Sequence, residues 1–225
     1  GVAAAMRIRN RLVGGEDGQR GVYFCHGFCE LGAYDAGPTL VQVRDFLAAN
    51  PGEVLILVLE DYLPATVTDS LFKATGLIDF VYAGPTRPWP TLGQMVATNQ
   101  RVIVFVESGQ KGVEWLHGTV GEIQETPYTF RKPEDFGCRP NRGGTDGSLF
   151  LINHWIETTP APRASNAAIV NAYDFLLQRA RDCQRERRHV PNIISVDFYS
   201  VGDLIRVTNT LNGIDSTGVS SVARQ

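Results

Sequence analysis

Five short apolar runs in this 225-residue chain end in a residue able to move a proton or hold a polar substrate. His26 follows residues 22–25, Glu60 and Asp61 follow 54–59, and Glu107 follows 102–106. Asn153 and His154 follow 149–152, and Asp197 lies within 193–198. A histidine gives or takes a proton near neutral pH, an aspartate beside it orients it, and an arginine grips a phosphate with a two-pronged fork. Arg7, Arg9 and Arg11 recur at a period of two, which places them on one face of an extended strand. Together these types point to acid/base chemistry on an anion. Singly, each has a blander reading. A histidine after a strand often serves structure, an aspartate there forms caps and turns, and the arginine trio also fits a solvated edge strand.

These side chains need strands to present them. The five runs are predicted as strands, with an earlier one through residues 4–9, and several are apolar on both faces, as strands covered on both sides must be. Helices are predicted over residues 40–49, 68–75, 92–98, 167–187 and 203–211. In the fourth, Ile169, Tyr173, Leu176, Leu177 and Ala180 recur at spacings of three and four behind Ser165 as a candidate cap. The arginines crowding its end read as a solvated terminus that complements the helix dipole. Alternating strands and helices define an α/β chain with a parallel sheet. In a barrel of parallel strands the carboxyl ends share one mouth, so the five chemical residues are expected to converge there. The turn-rich stretch 118–147 has the length of a functional rim. No composition break or repeat divides the chain, so residues 1–225 are expected to form a single domain.

Composition narrows the partners. Lysine and arginine number 21 and aspartate and glutamate 24, a net charge of −3, which argues against nucleic acid or bulk electrostatic capture by an anionic membrane. At 43% hydrophobic and 20% charged residues the chain can bury a core, and no apolar run approaches the roughly 20 residues of a membrane helix. Four cysteines, at 25, 29, 138 and 183, permit three pairings. No C-x-x-C motif suggests zinc, and disulfides in an exported protein, secreted or periplasmic, are the preferred reading.

Four motifs carry a resemblance. The runs Gly21-Val-Tyr-Phe-Cys-His-Gly-Phe-Cys29, Phe46-Leu-Ala-Ala-Asn-Pro-Gly-Glu-Val54 with Leu59-Glu-Asp-Tyr62, Cys138-Arg-Pro-Asn-Arg142 with Leu149-Phe-Leu-Ile-Asn153, and Pro191-Asn-Ile-Ile-Ser-Val-Asp-Phe-Tyr199 occur in order across nearly the whole chain. They resemble the phosphatidylinositol-specific phospholipase C X-domain superfamily, nearest its plant and bacterial PLC-like phosphodiesterase branch. The resemblance implies an irregular TIM (β/α) barrel, here expected to lack its first strand. It implies a phosphoric diester hydrolase or lyase acting on a phospholipid or inositol phosphodiester through a cyclic phosphate.

Carried over by residue, His26 matches the general acid that protonates the departing alcohol. Arg9 looks like the arginine that holds the phosphate, and Asp197 matches the aspartate that orients the general-base histidine. Glu60 occupies a position that is lysine in some bacterial members and a calcium-ligand glutamate in eukaryotic ones. With Arg7, Asn153 and Tyr199 it forms the expected substrate-binding set. Arg139, Asn141, Arg142 and Tyr199 are the local candidates for head-group recognition, and they fit loop packing equally.

Departures qualify the match. The family's first histidine, in a Thr-His context, has no counterpart in this sequence. None of His117, His154 or His189 sits in a matching motif, although His154 is nearest by position. Little turnover is therefore expected from the sequence as given. Arg7 replaces an acidic neighbour, and a cation there would repel calcium, so no metal or other cofactor is expected. The expected protein is a monomer with peripheral membrane contact at most. The alternative is a catalytically degenerate barrel that binds a phosphate ligand or a protein. A metal-dependent glycerophosphodiesterase is disfavoured because its paired acidic ligands are not found.

Overall fold

A computed structural model of the chain describes residues 21–25, 29, 32–107 and 112–214. The predicted strand 4–9, and with it Arg7 and Arg9, lies outside the described residues, as does His26. The chain divides into two compact units, Gly1–Gly118 and Thr119–Gln225.

In the first unit, β1 (Tyr23–Phe24) pairs antiparallel with β2 (Tyr34–Asp35). Helix α1 (Ala36–Ala49) starts directly after it. The Asp35 carboxylate accepts from the Gly37 N–H at 3.0 Å, an N-cap that the sequence-based start at residue 40 misses. Strand β3 (Leu55–Leu59) then runs parallel to β4 (Val102–Val106), with Leu55 opposite Val102 and Leu59 opposite Val106. Strand β5 (Leu116–Gly118) extends the sheet on the other side of β4. β4 is buried throughout, as its unbroken Val-Ile-Val-Phe-Val run requires.

Between β3 and β4 lie α2 (Ala65–Thr75) and α3 (Leu92–Thr98). Gly76, at φ +72°, ends α2 in the left-handed conformation that a side chain resists. A reciprocal Thr91–Gln94 capping box opens α3. Leu40, Leu47, Phe72, Leu77, Val104 and Trp115 form the core of this unit.

Arg101, only 2% exposed, ties that core to the loop before β3. Its guanidinium donates to the carbonyls of Leu47, Asn50 and Glu53 at 2.8–3.0 Å and lies over the Phe80 ring. Replacing Arg101 with Met keeps the stem and removes every donor. We expect a loss of about 2–3 kcal/mol in urea unfolding, since buried carbonyls left unpaired bear the full desolvation cost. A change within error would mean that water replaces the guanidinium.

The second unit holds β6 (Ile123–Glu125), β7 (Leu149–His154) and β8 (Ile193–Val196), all parallel. Its helices are α4 (Ala164–Val170), α5 (Tyr173–Arg187) and α6 (Leu204–Leu211). The single helix predicted over 167–187 is in fact two. Asn171, fully buried, breaks it by donating its amide to the carbonyls of Asp197 and Val201 at 3.0 and 3.1 Å. Asp203 then caps the new start through the Tyr173 N–H, while Ser165 lies inside α4.

The cysteines pair as Cys25–Cys29 and Cys138–Cys183, and two disulfides fit a secreted or extracellular protein. Among the described residues no helix is long and apolar enough to cross a membrane. The arginines at the end of α5 are only partly the solvated terminus expected. Arg187 reaches back to the Cys138 and Gly144 carbonyls and to Gln124 Oε1, with its guanidinium over the Phe150 ring. Gly143 turns in this clasped loop at φ +72°, where a Cβ would collide with the Ile123 carbonyl.

The α/β class holds, but the closed TIM barrel does not form among the described residues. The parallel strands make two three-stranded sheets, ordered β3-β4-β5 and β6-β7-β8. Each ends on a strand of only three residues, β5 or β6, which gives little edge for a further ladder. The run 22–25, predicted as a barrel strand, instead makes a two-residue antiparallel ribbon. Convergence of five strand ends on one mouth rested on the barrel and falls with it. Each sheet groups its own strand ends.

Candidate functional site

In the second unit the carboxyl ends of β6, β7 and β8 carry Glu125, Asn153 with His154, and Asp197. Glu125 is 3% exposed, yet its carboxylate is fully met. Arg142 donates Nε to Oε1 at 2.6 Å and a terminal nitrogen to Oε2 at 3.1 Å, the bidentate fork that fixes both groups. The amides of Asn141 and Asn153 complete it at 2.9 and 3.1 Å. Asn153 also donates to the Thr126 carbonyl at 2.7 Å. Its side chain, expected to face substrate, is buried and spent within the protein, holding Glu125. Arg142 remains half-exposed, with its guanidinium over the Tyr128 ring, and that ring stacks on Trp155. An arginine fixed by a buried carboxylate beside two aromatic faces can bind an anion or a sugar ring without first losing rotamer freedom.

His154, also at the end of β7, is wholly buried. Its Nε2 lies 2.8 Å from the Val170 carbonyl and its Nδ1 2.8 Å from Arg179. Because the carbonyl can only accept and the guanidinium can only donate, the ring is neutral with its proton on Nε2. Burial, and then the Arg179 charge, push its pKa down to about 3. The Arg179 guanidinium packs over both the Phe130 and Phe136 rings, 4.9 and 4.4 Å from their centroids, and donates to the Asn153 and Gly137 carbonyls. Burial lowers its pKa to about 9, so it stays charged at neutral pH. This pair supports the strand end and offers no proton to a substrate.

Asp197 follows β8, and partial burial raises its carboxyl above the ordinary range. Its backbone is fixed from two sides. Asn171 holds its carbonyl, and the next residue, Phe198, sits at φ +51°. That conformation costs a non-glycine residue of order 1 kcal/mol, and such strain persists where the surroundings impose it. Tyr199, 73% exposed, lines a cleft of about 840 Å³ with Tyr173, Arg206 and Asn209. The second unit thus groups Asp197 and Tyr199 on one loop and Asn153 with Glu125 at the neighbouring strand ends.

In the first unit Glu60 is exposed at the end of β3 and accepts from the Tyr62 hydroxyl. With Asp61 and Tyr62 it lines a cavity of about 300 Å³ that also meets Tyr23, Phe24 and Cys25. Among the described residues no three His, Cys, Asp or Glu side chains are grouped to hold a metal ion. Neither His117 nor His189 is grouped with these residues. His117 packs among the rings of Tyr82, Trp89 and Phe105, and His189 bonds the Val190 carbonyl.

Sequence reasoning missed Glu125 and Arg179. Glu125 stands in a three-residue strand inside the stretch read as loop, and its one signal was the Cys138-Arg-Pro-Asn-Arg142 motif that supplies two of its partners. Arg179 carries no local signal, because its aromatic partners lie more than 40 residues away in sequence.

Comparison with known proteins places these residues in context. The chain is similar to PI-PLC X domain-containing protein 1 of Arthroderma benhamiae, 29% identical over 212 residues, which covers 84% of this chain and 69% of that protein. It is also similar to PI-PLC X domain-containing protein At5g67130 of Arabidopsis thaliana, 25% identical over 234 residues, covering 92% of this chain and 52% of that one. No solved structure matches it. The family model described as PI-PLC X 1 matches residues 8–212, a span that takes in Asn153, Asp197 and the Glu125–Arg142 fork, and the chain therefore belongs to the PI-PLC X domain family.

Proposed function

We propose that the protein is a secreted phosphodiesterase of the phospholipase C type, acting on a phospholipid or inositol phosphodiester through a cyclic phosphate. The observation that carries the reading is the family match, which spans the Asp197 loop held in a strained backbone at the end of β8. In this mechanism Arg9 holds the phosphate and His26 protonates the leaving alcohol, while Asp197 stands where the family orients its general-base imidazole, a histidine without a counterpart in this sequence. Arg7, Glu60 and Tyr199 meet the substrate. Asn153 acts through Glu125, which fixes Arg142 for contact with the head group. No metal is required, because arginine supplies the positive charge that a cation would otherwise bring.

The test is hydrolysis of phosphatidylinositol vesicles followed by phosphorus NMR. Because the general-base histidine has no counterpart in this sequence, we expect little turnover, with a cyclic inositol phosphate as its first product; prompt formation would show that this histidine is not needed. His26→Ala should cut that residual rate by about a further hundredfold, since it removes the acid that protonates the leaving alcohol. A linear phosphate as first product, or an unchanged rate in the variant, would refute the mechanism. Tight binding of inositol phosphate with no turnover would instead establish a phosphate-binding module.

A further inference from the structure

Three arginines at the end of α5 serve neither the core nor the strand-end site. Arg181, Arg185 and Arg188 recur at spacings of four and three, which sets them along one side of the helix over about 10 Å. With Gln184, His189 and Val190 they line an open hollow of about 480 Å³. Their platform is rigid. Cys183 is buried and bridged to Cys138, and Arg187 clasps the neighbouring loop. Arg185 pairs with Asp182. Arg181 and Arg188 are exposed and make no hydrogen bond or ion pair among the described residues.

The backbone of Arg188 is a second observation. It ends α5 at φ +50°, in the left-handed conformation that glycine takes freely and a Cβ resists. Arg185 and Arg187 already bring positive charge to the last turn, so the helix dipole does not call for another arginine here. Strained residues of this kind collect at ligand clamps, and this one holds a guanidinium at the hollow.

Guanidinium forks match the oxygens of sulfate and phosphate groups. Charges spread over about 10 Å suit a chain of such groups better than a single ion. Val190, 56% exposed, and the His189 ring add surface against which a sugar ring can lie, and which a bare polyphosphate leaves unused. A bilayer fits less well. Helix α5 starts at Tyr173 in the Tyr199 cleft and runs 15 residues, about 22 Å, away from it. A membrane that meets the Asp197–Tyr199 loop leaves these arginines at the far end of the helix.

We propose that the hollow at the end of α5 binds a linear sulfated polysaccharide, tethering the protein while the strand ends stay open to substrate. The site does not rest on the reading above. A heparin hexasaccharide is the probe and its fully desulfated form the control, each titrated calorimetrically into the full chain. The sulfated sugar should bind at least about tenfold more tightly than the control. Arg181→Gln combined with Arg188→Gly should lower its affinity at least about tenfold, the loss expected when charged hydrogen bonds disappear. Arg188→Gly alone should weaken binding yet raise the urea midpoint, a pairing that a purely structural arginine does not give. The Val190 methyl NMR signals should shift on binding. Equal binding of the desulfated sugar, unchanged affinity in the double variant, or a lower urea midpoint with binding intact would each overturn the site. So would capture of the protein by phosphatidylglycerol vesicles against which the hexasaccharide does not compete.

Discussion

Between pH 6.5 and pH 4 the protein should lose several kcal/mol of stability, and His154→Gln should lose much less. In the folded protein the imidazole titrates near pH 3, against an ordinary value of 6.5. The unfolded chain therefore takes up its proton first. Over the interval between the two values the unfolded state binds more protons, so stability rises with pH and falls as acid is added. At about 1.4 kcal/mol per pH unit, the full interval corresponds to roughly 4–5 kcal/mol, a large part of the 5–15 kcal/mol of a typical domain. Above pH 6.5 both states are neutral at this residue and the effect vanishes. Urea midpoints measured from pH 7 to pH 4 decide the matter. Gln can still donate to Val170 and accept from Arg179, so the variant should start lower but follow a flatter course. Parallel slopes would show that His154 is hydrated or charged in the fold.

Opening the Cys138–Cys183 bridge should have an effect of similar size. The linked residues are 45 apart in sequence, and closing a loop of that length removes about 4 kcal/mol of entropy from the unfolded chain. Cys25–Cys29 spans only four positions, for which the same relation gives about 2 kcal/mol. Replacing Cys138 and Cys183 with Ala should thus lower the urea midpoint about twice as far as replacing Cys25 and Cys29. The long-range pair also joins α5 to the loop that supplies Asn141 and Arg142 to Glu125, so its loss should loosen that fork. A larger effect from the short bridge would contradict this ranking.

Periodicity revealed the parts of this fold that depend on local patterns. The run 102–106 is apolar at every position, and β4 is buried at every position. Ladder continuity is a different kind of property. Hydrophobic runs show that strands are covered, but whether a sheet closes depends on partners such as β5 and β6, each too short to leave a period-two signal. The break at Asn171 was hidden for a related reason, since Ile169, Tyr173, Leu176 and Leu177 keep helical spacing across it. Only the carbonyls of Asp197 and Val201 explain the break. At the site, Asp197 was legible as a residue at a strand end inside a family motif. Glu125 and the burial of Asn153 were not, because a buried carboxylate is defined by partners that sequence does not place. His154 shows the converse. Its residue type promised proton transfer, and burial together with the Arg179 charge, neither visible in the sequence, removes that capacity.

Asn171 grips the Asp197 loop entirely through main-chain oxygens. Scaffold and reagent are therefore written in separate places: one side chain shapes the loop, and another performs on it. A lineage could exchange the carboxylate for some other group, trading catalysis for recognition, while the loop keeps its course. A carboxylate found at this position in one relative and missing from another would then mark a change of occupation within a frame that both still share.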